Sequence, residues 1–345
     1  MKSTKLALAA LGALMAALIG SGISAPPVHA EAMQWKMHIV WVSSRPEASA
    51  YQEFVDRVNK NAKGKLHITL YPGGSLGVKD VDMLRILPPG NVIQAAGLYP
   101  GYMTRDEPQY ASLLPPGVAQ TPEQLVEALP TLSKIYQATY DKWGIVLLGY
   151  VGHPIRDMGV MCKEPVSSLA QLKGKKLRVW EKSQVDTFSK LGVSAQVIPQ
   201  NELYLAMQRG VVDCAVYSPA LGLTISLQEV APYASTLFPY VLNPLNIIVS
   251  KKSYDSLSAD VQKVLVDAAK AVQDETFKDY LAGTRDAIAV AEFKKLGGTM
   301  LPEFPAADRA LFAKTAREVW EATANGLGPQ AIENWKLVSK AIGSE

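Results

Sequence analysis

The sequence predicts an α/β chain of two lobes, each built on its own parallel or mixed sheet, with hinge strands between the lobes and one long helix spanning both. Short apolar runs bounded by Gly or Pro alternate with helical patterns in both halves, as expected for strands buried in parallel sheets. The 345 residues are more than one hydrophobic core usually organises. A helical pattern from Ser258 to Lys295 contains no proline and is too long for either lobe alone.

The first thirty residues have the features of a secretory signal peptide, which we assign to 1–30. Lys2 and Lys5 precede an apolar run from Leu6 to Ile19, and Val-His-Ala at 28–30 is a small-x-small cleavage site. No later run is long enough to span a bilayer, so we expect export followed by release as a soluble protein. Loss of the two lysines lowers the formal net charge from +3 to +1, which gives no electrostatic reason to expect nucleic-acid or membrane binding.

The first lobe is predicted at 31–153 plus 241–283. Its strands are expected at 37–43, 66–71, 91–98 and 145–150, and its helices at 47–62, 78–87 and 124–143. His153-Pro154 interrupts this pattern, and a new extended segment begins at Arg156 and runs to Cys162. We therefore place the first crossover between the lobes at this point.

The second lobe is predicted at 154–240 plus 284–345 and is organised around residues 174–219. Strands are expected at 176–180, 194–198 and 211–218, and a helix between the last two is expected to end at Gly210. Such a unit closes by right-handed crossovers, and its strand ends open on a crevice. Pro239 and Pro244 flank a second crossover that leads to a strand at 245–250. The long helix is expected to bend near Gly283, and further helices are expected at 306–324 and 329–342.

Two cysteines and one serine motif leave alternatives open. Export permits a disulfide between Cys162 and Cys214, but both are expected in buried strands, where a free cysteine behaves as a small hydrophobic residue. Residues 73–77 match G-x-S-x-G, so an exported serine hydrolase using Ser75 is one alternative; a plain Gly-rich turn explains the same residues. The scattered histidines show no metal-ligand spacing, and we predict no cofactor.

Several motifs, taken together, resemble one family. LYPGGSLG at 70–77, Arg156, KGKKLRV at 173–179 and VIPQNELYLAMQRGVVDCAVYSP at 197–219 are similar to the extracytoplasmic solute receptors of TRAP transporters, the DctP-type binding proteins. The resemblance implies a periplasmic binding protein fold whose two lobes close on an organic acid, and no enzymatic chemistry. It also implies a monomer in the periplasm that delivers its ligand to the small and large TRAP membrane subunits, with no role for nucleic acid.

The resemblance also implies site residues. Arg178 matches the arginine that makes a two-point contact with the ligand carboxylate, and Arg156 matches a second, assisting arginine. Ser218 stands where many members have Asn, Cys214 where they have Gly, and Trp180 where they have Pro. The residues by themselves leave another interpretation of Arg178 open, namely an internal ion pair with Asp186 or Asp213.

Aromatic residues are expected to line the cleft. Trp180 lies two residues beyond Arg178, so both point to the same face of a strand. The other rings lie near predicted strand ends, and each could equally fill ordinary core: Tyr217, Trp41, Tyr99, Tyr150 and Tyr240. Together with Ser218 they favour a monocarboxylate with an apolar or aromatic body over a sugar acid. An ABC-type or tricarboxylate-type binding protein and a ligand sensor that docks to a receptor kinase stay open as alternatives.

Overall fold

The structure is a computed structural model that describes residues 32–344, except for the side chain of Asn201. The predicted signal peptide lies outside the described residues. In this part of the chain eleven strands form: β1 (Met33–His38), β2 (Leu66–Tyr71), β3 (Ala95–Leu98), β4 (Ile145–Val151), β5 (Asp157–Cys162), β6 (Lys176–Val179), β7 (Ser194–Val197), β8 (Cys214–Tyr217), β9 (Tyr233–Pro239), β10 (Leu245–Ser250) and β11 (Thr299–Met300).

Twelve α-helices form in residues 32–344, and short 3-10 turns supplement them. The α-helices are α1 (Pro46–Asn61), α2 (Met83–Ile86), α3 (Pro122–Trp143), α4 (Leu169–Leu172), α5 (Lys182–Lys190), α6 (Gln200–Gln208), α7 (Pro219–Gly222), α8 (Lys251–Asp255), α9 (Ala259–Ala282), α10 (Thr284–Lys295), α11 (Ala306–Leu327) and α12 (Pro329–Ala341). None of these helices combines the length and the apolar character needed to cross a bilayer.

The strands are divided between two mixed sheets, which confirms the predicted fold class. The first sheet has the order β2-β1-β3-β10-β4, with β1 parallel to β2 and β3 and with β10 antiparallel to both of its neighbours. The second has the order β11-β9-β5-β8-β6-β7, with β6 parallel to β7 and β8. One hydrophobic core lies in the second lobe, and two cores cover the two faces of the first sheet.

Local sequence explains where the larger helices of the first lobe begin and end. Helix α1 starts with Pro46 at its first position, where the missing N–H costs nothing, and buries Tyr51, Phe54 and Val58 on one face. Helix α3 begins with a capping box between Thr121 and Gln124, whose side chains and backbone N–H groups bond reciprocally. It ends at Gly144, whose φ of 68° is left-handed.

Two predicted elements differ from the structure, and one observed strand was not expected. The strand expected at 37–43 overlaps β1 only at Met37 and His38, because β1 begins at Met33. Strand β1 ends at His38, where its partner β2 ends at Tyr71 and Pro72 follows without an N–H for the ladder. The helix expected at 78–87 is a 3-10 turn at 80–82 followed by the four residues of α2. Strand β9 has no counterpart in the sequence prediction; it ends at Pro239, the first of the two prolines that flank the predicted second crossover.

The predicted long, bent helix is two helices, α9 and α10. Gly283 separates them with a φ of 64°, and its N–H bonds to the carbonyl oxygens of Asp279 and Tyr280. This is a left-handed helix end and not a bend within one helix. Helix α9 packs on β4 and α1 of the first lobe, whereas α10 packs on α7 and β11 of the second. Gly283 is therefore a third connection between the lobes.

Hydrogen bonds join the three connections. The buried His153 ring contacts the carbonyl oxygens of Leu242 and Asn243 through Nε2, at 3.2 and 3.0 Å. The Tyr240 N–H donates to the Arg156 carbonyl, and the Tyr280 hydroxyl donates to the Tyr240 carbonyl. The crossovers at 152–156 and 240–244 and the end of α9 thus form one hinge.

The C-terminal helices contact both lobes. Helix α11 packs on α5 and β9, whereas α12 packs on α3. Trp320, Val338 and Ile342 join a core of the first lobe. The predicted domain limits stay predictions, and this packing adds a contact of residues 306–341 with the first lobe.

Cys162 and Cys214 form a disulfide, the possibility that the sequence left open. The two residues are directly opposite each other on the antiparallel strands β5 and β8. Their Cα atoms are 4.1 Å apart, close to the spacing of the narrow pairs of an antiparallel ladder. Strand pairing therefore brings the sulfurs together across 52 residues of sequence.

Candidate functional site

The carboxyl ends of the parallel strands of both sheets supply the polar residues of one inter-lobe cleft. Parallel strands present ligand-binding groups at this edge. Arg45 Nη1 of the first lobe donates to the Tyr217 hydroxyl of the second at 3.2 Å. The Tyr99 hydroxyl donates to Glu181 Oε2 at 3.1 Å, again between lobes. We define the cleft residues as Arg45, Tyr99, Tyr102, Arg178, Trp180, Glu181, Tyr217 and Tyr240.

Arg178 is a buried guanidinium without an acidic partner among the described residues. Its exposed fraction is 2%. Nε donates to the Ile198 carbonyl at 2.9 Å, and Nη1 lies 3.5 Å from the Val216 carbonyl. Cζ lies 5.5 Å from the centroid of the Tyr217 ring, a cation–π contact. Burial lowers the pKa of this guanidinium, so an anion placed beside it would be strongly favoured.

The alternative ion pairs of Arg178 do not form. Asp186 instead binds Lys182 at 2.8 Å, and Asp213 accepts the Lys176 backbone N–H at 2.9 Å. Among the described side chains and backbone of residues 32–344, which exclude the Asn201 side chain, Arg178 Nη2 has no hydrogen-bond partner. The guanidinium is therefore fixed in position by neutral groups, with donors left for a ligand.

A second buried arginine, which the sequence analysis missed, approaches from the first lobe. Arg45 Nε and Nη2 donate to the two carboxylate oxygens of Glu47, at 3.0 and 2.5 Å. Both side chains are only 4% exposed, and this ion pair raises the pKa of Arg45 despite its burial. The signal was the Arg-Pro-Glu run at the start of α1, in which a charged pair flanks the first helical residue.

Tyr102, Trp180 and Tyr240 are aromatic cleft residues that keep some exposure to solvent. Tyr102 is 36% exposed, yet burial raises the pKa of its phenol to about 12, and the charges of Arg178 and Arg45 oppose this increase. The Trp180 and Tyr240 rings meet edge to face at 6.1 Å and pack against cores of both lobes.

The other predicted site residues have different surroundings. Ser218 caps the short helix α7 by accepting the Leu221 N–H at 3.3 Å. Trp41 stacks on Tyr51 at 5.6 Å. Tyr150 lies in a core of the first lobe, where its hydroxyl is 2.7 Å from that of Ser133. The structure therefore does not bring Tyr150 to the cleft residues.

Arg156 lies at the hinge. Its Nη1 donates to the Leu281 carbonyl at 2.9 Å, near the end of α9, and its backbone N–H donates to Asp286. Nη2 is 3.7 Å from Glu123. A basic group at a helix carboxyl end satisfies its free carbonyls. Contact of Arg156 with a ligand stays a prediction, because in this structure its guanidinium is engaged by the helix end.

The residues of the hydrolase alternative lie apart. Ser75 is exposed in a turn in which Gly73, Gly74 and Gly77 all have positive φ. His153 is buried in the hinge with Nε2 on backbone carbonyls. No nucleophile–base hydrogen bond joins these two residues in the described chain. Residues 32–344 also contain no group of three or more His, Cys, Asp or Glu side chains placed to hold a metal ion.

A family profile described as "Bacterial extracellular solute-binding protein, family 7" (DctP) matches residues 37–326. The chain belongs to the DctP family. The C4-dicarboxylate-binding periplasmic protein DctP of Rhodobacter capsulatus is 27% identical over 337 residues, which are 93% of this chain and 96% of that protein. This membership confirms the predicted family and identifies a solute-binding protein.

Solved structures share the DctP fold at lower identity. A TRAP periplasmic solute binding protein of Sulfitobacter sp. with bound β-D-galacturonate has a TM-score of 0.76 and 22% identity, covering 89% of this chain and 99% of that one. A Bordetella pertussis extracytoplasmic solute receptor binding pyroglutamic acid has a TM-score of 0.75 and 19% identity, covering 90% and 100%.

Proposed function

We propose that this DctP-family protein is a periplasmic receptor that binds an organic acid between its lobes and delivers it to the small and large subunits of a TRAP membrane transporter. It acts as a monomer, catalyses no reaction and requires neither a metal nor nucleic acid. The observation that carries this proposal is the buried Arg178, whose charge has no acidic partner among the described residues. An unpaired buried charge is costly, and a ligand carboxylate removes that cost.

A carboxylate fits the geometry of Arg178. The planar guanidinium presents parallel N–H donors that match the two oxygens of a carboxylate. Because Ile198 and Val216 fix the other side of the group, the free Nη2 edge is preorganised for such a contact. The ligands named for the Rhodobacter, Sulfitobacter and Bordetella proteins all carry a carboxylate, which supports this class of ligand.

Closure of the lobes follows from contacts across the cleft. Arg45–Tyr217 and Tyr99–Glu181 join the first lobe to the second. A ligand that touches both lobes binds the closed form more tightly and shifts the population toward it. Trp180, Tyr240 and Tyr102 supply an aromatic wall, so we propose a monocarboxylate with an apolar or aromatic body rather than a polyhydroxylated sugar acid.

A thermal-shift screen of organic acids followed by calorimetry tests the proposal. Arg178→Ala is expected to weaken binding of the best acid by about 3–5 kcal/mol, or roughly two to four decades in Kd. Arg178→Lys, which keeps the charge but loses the planar fork, should bind with intermediate affinity. Arg209→Ala, which removes an exposed arginine of the same lobe, should bind like the wild type.

Circular dichroism and thermal unfolding would show that each variant is folded. Unchanged affinity in a folded Arg178→Ala variant would refute the role of Arg178. Stabilisation by galacturonate and not by aromatic or branched-chain acids would contradict the proposed ligand body.

A further inference from the structure

Glu181 is a second charged group of the cleft without a partner of opposite charge. It follows Trp180 directly and is the residue that precedes the first turn of α5. Within residues 32–344 it forms no ion pair, since the neighbouring Lys182 binds Asp186. Its carboxylate accepts the Tyr99 hydroxyl at Oε2 and the Ser183 hydroxyl at Oε1. Two neutral hydroxyls thus hold a half-buried carboxylate in place.

The carboxylate lines an inter-lobe cavity of about 310 Å³. The wall comes from both lobes and includes Tyr99, Gly101, Thr104, Leu114, Glu181 and Ser183. An ionised carboxylate offers about four acceptor sites, and the two hydroxyls occupy only some of them. Burial raises the pKa of Glu181, although Ser183, Tyr99 and the Trp180 side chain oppose this increase. The Glu181 carboxylate can therefore accept further hydrogen bonds, and it lies where solvation by water is reduced.

The Glu181 cavity adjoins the aromatic wall near Arg178. The Tyr99 and Tyr102 rings meet edge to face at 5.4 Å, and the Tyr102 phenol experiences the charges of both Arg178 and Glu181. Arg178 and Glu181 are three residues apart in sequence, so at about 3.3 Å per residue their Cα atoms are at most roughly 10 Å apart. A small organic acid has the length to span this distance.

The two groups are kept apart from each other. Ile198 and Val216 hold the Arg178 guanidinium, while Tyr99 and Ser183 hold the Glu181 carboxylate. Each is left with unused hydrogen-bonding capacity, Arg178 as a donor and Glu181 as an acceptor. We propose that Glu181 determines specificity by accepting a hydrogen bond from the ligand, so that the receptor selects carboxylic acids bearing a hydroxyl, amide N–H or ammonium donor.

This inference rests on the proposed function and narrows its substrate class. An acid without a donor would bury the Glu181 carboxylate with no added partner, and unpaired buried polar groups discriminate strongly against analogues that lack the matching group. The apolar body required by Trp180 and Tyr240 is compatible with one donor group. A polyhydroxylated acid would instead bring several hydroxyls against aromatic rings.

Matched pairs of acids test the inference by calorimetry. The pairs are L-pyroglutamate with cyclopentanecarboxylate, mandelate with phenylacetate, and L-leucine with 4-methylpentanoate. For the wild type we expect at least one donor-bearing acid to bind ten-fold or more tightly than its partner. Glu181→Gln should reduce that ratio to below three-fold, mainly by weakening the donor-bearing acid. Glu202→Gln, at an exposed position of the same lobe, should keep the wild-type ratio.

The outcomes separate this inference from the function on which it rests. If acids bind and require Arg178 but the wild type discriminates within no pair, or if Glu181→Gln retains the wild-type ratio, the role of Glu181 is overturned while the receptor function stands. If the wild type binds none of the six acids, the role of Glu181 and the proposed apolar or aromatic ligand body are overturned. If a folded Arg178→Ala variant binds the acids like the wild type, the role of Arg178 and the inference built on it are overturned together.

Discussion

Two arginines, one from each lobe, meet at the Tyr217 phenol. Arg45 donates to its hydroxyl, and Arg178 lies over its ring. The charges differ in their surroundings, because Glu47 neutralises Arg45 whereas no described acid neutralises Arg178. The positive charge of Arg178 is therefore left without a partner, and an anion placed beside this side chain gains most. Arg45 instead links the first lobe to the second through its hydrogen bond to the Tyr217 hydroxyl.

Replacement of Tyr217 by Phe tests the hydrogen bond between Arg45 and Tyr217. The change keeps the ring beneath Arg178 but removes the acceptor of Arg45, leaving a buried charged donor short of a partner. We expect a loss of about 1–2 kcal/mol for this hydrogen bond, or roughly a five- to thirty-fold increase in the Kd of the best acid. Tyr204→Phe removes a hydroxyl that bonds Glu229 at the surface and should not alter affinity. A Kd for Tyr217→Phe within two-fold of the wild type would contradict the proposed contact.

At the scale of elements, the strands that carry the site are linked by strand pairing and by a disulfide. Strand β8, which ends at Tyr217, pairs with β5 on one side and with β6 on the other. The disulfide joins β8 to β5, and Cys214 also lies opposite Leu177, the neighbour of Arg178. The covalent bond and the ladder together define the positions of Arg178 and Tyr217.

Removal of the disulfide should lower the unfolding free energy substantially and should change the ligand affinity little. The Cys162→Ser/Cys214→Ser double variant frees 52 residues of closed chain, for which the chain-entropy model gives about 4 kcal/mol of lost unfolding free energy. Urea denaturation would measure this loss, and the reduced wild type should unfold like the double variant. Ligand affinity at 25 °C should change little, since the ladder hydrogen bonds persist. An unchanged denaturation midpoint would mean that the disulfide does not stabilise the folded state.

At the scale of the whole molecule, a compact hinge joins the lobes. Three chain segments cross there, and His153 lies among them between the Tyr240 and Tyr280 rings, at 5.0 and 5.9 Å. Burial lowers the pKa of His153, although the Leu242 carbonyl and the charge of Glu47 oppose this decrease. The ring is therefore neutral near pH 7 and donates one N–H toward the carbonyls of the second crossover.

The hinge should make stability depend on pH. Because the pKa of His153 is lower in the folded protein than the usual 6.5, the unfolded chain binds the proton more tightly. The unfolding free energy therefore falls as the pH drops below about 6.5, by at most about 1.4 kcal/mol per pH unit for one proton. Asp157 and Asp286 have raised pKa values, and their effect has the opposite sign at lower pH.

Denaturation at pH 7.5, 6.5 and 5.5 would measure this dependence. His153→Gln should flatten the slope between pH 6.5 and 5.5, while His67→Gln, at an exposed position of β2, should retain the wild-type slope. Equal slopes in the wild type and in His153→Gln would show that the hinge histidine does not carry this pH dependence.

Sequence patterns alone predicted the fold class, which the structure confirms, and singled out Arg178 as the candidate ligand contact, which stays a prediction. Alternating apolar runs and helical patterns predict the elements because each buries its apolar face locally, and the position of Arg178 inside a buried strand marks it as exceptional. The sequence alone could not distinguish Tyr150, which packs in a core of the first lobe, from Tyr240, which lies in the cleft, because both follow apolar runs. It also missed Arg45, Glu47, Tyr102 and Glu181, whose importance depends on neighbours from distant segments. The pairing of charges became visible in the folded chain alone, because it depends on how side chains are oriented and on which segments pack around them: Glu47 neutralises Arg45, while Arg178 and Glu181 have no described partner of opposite charge.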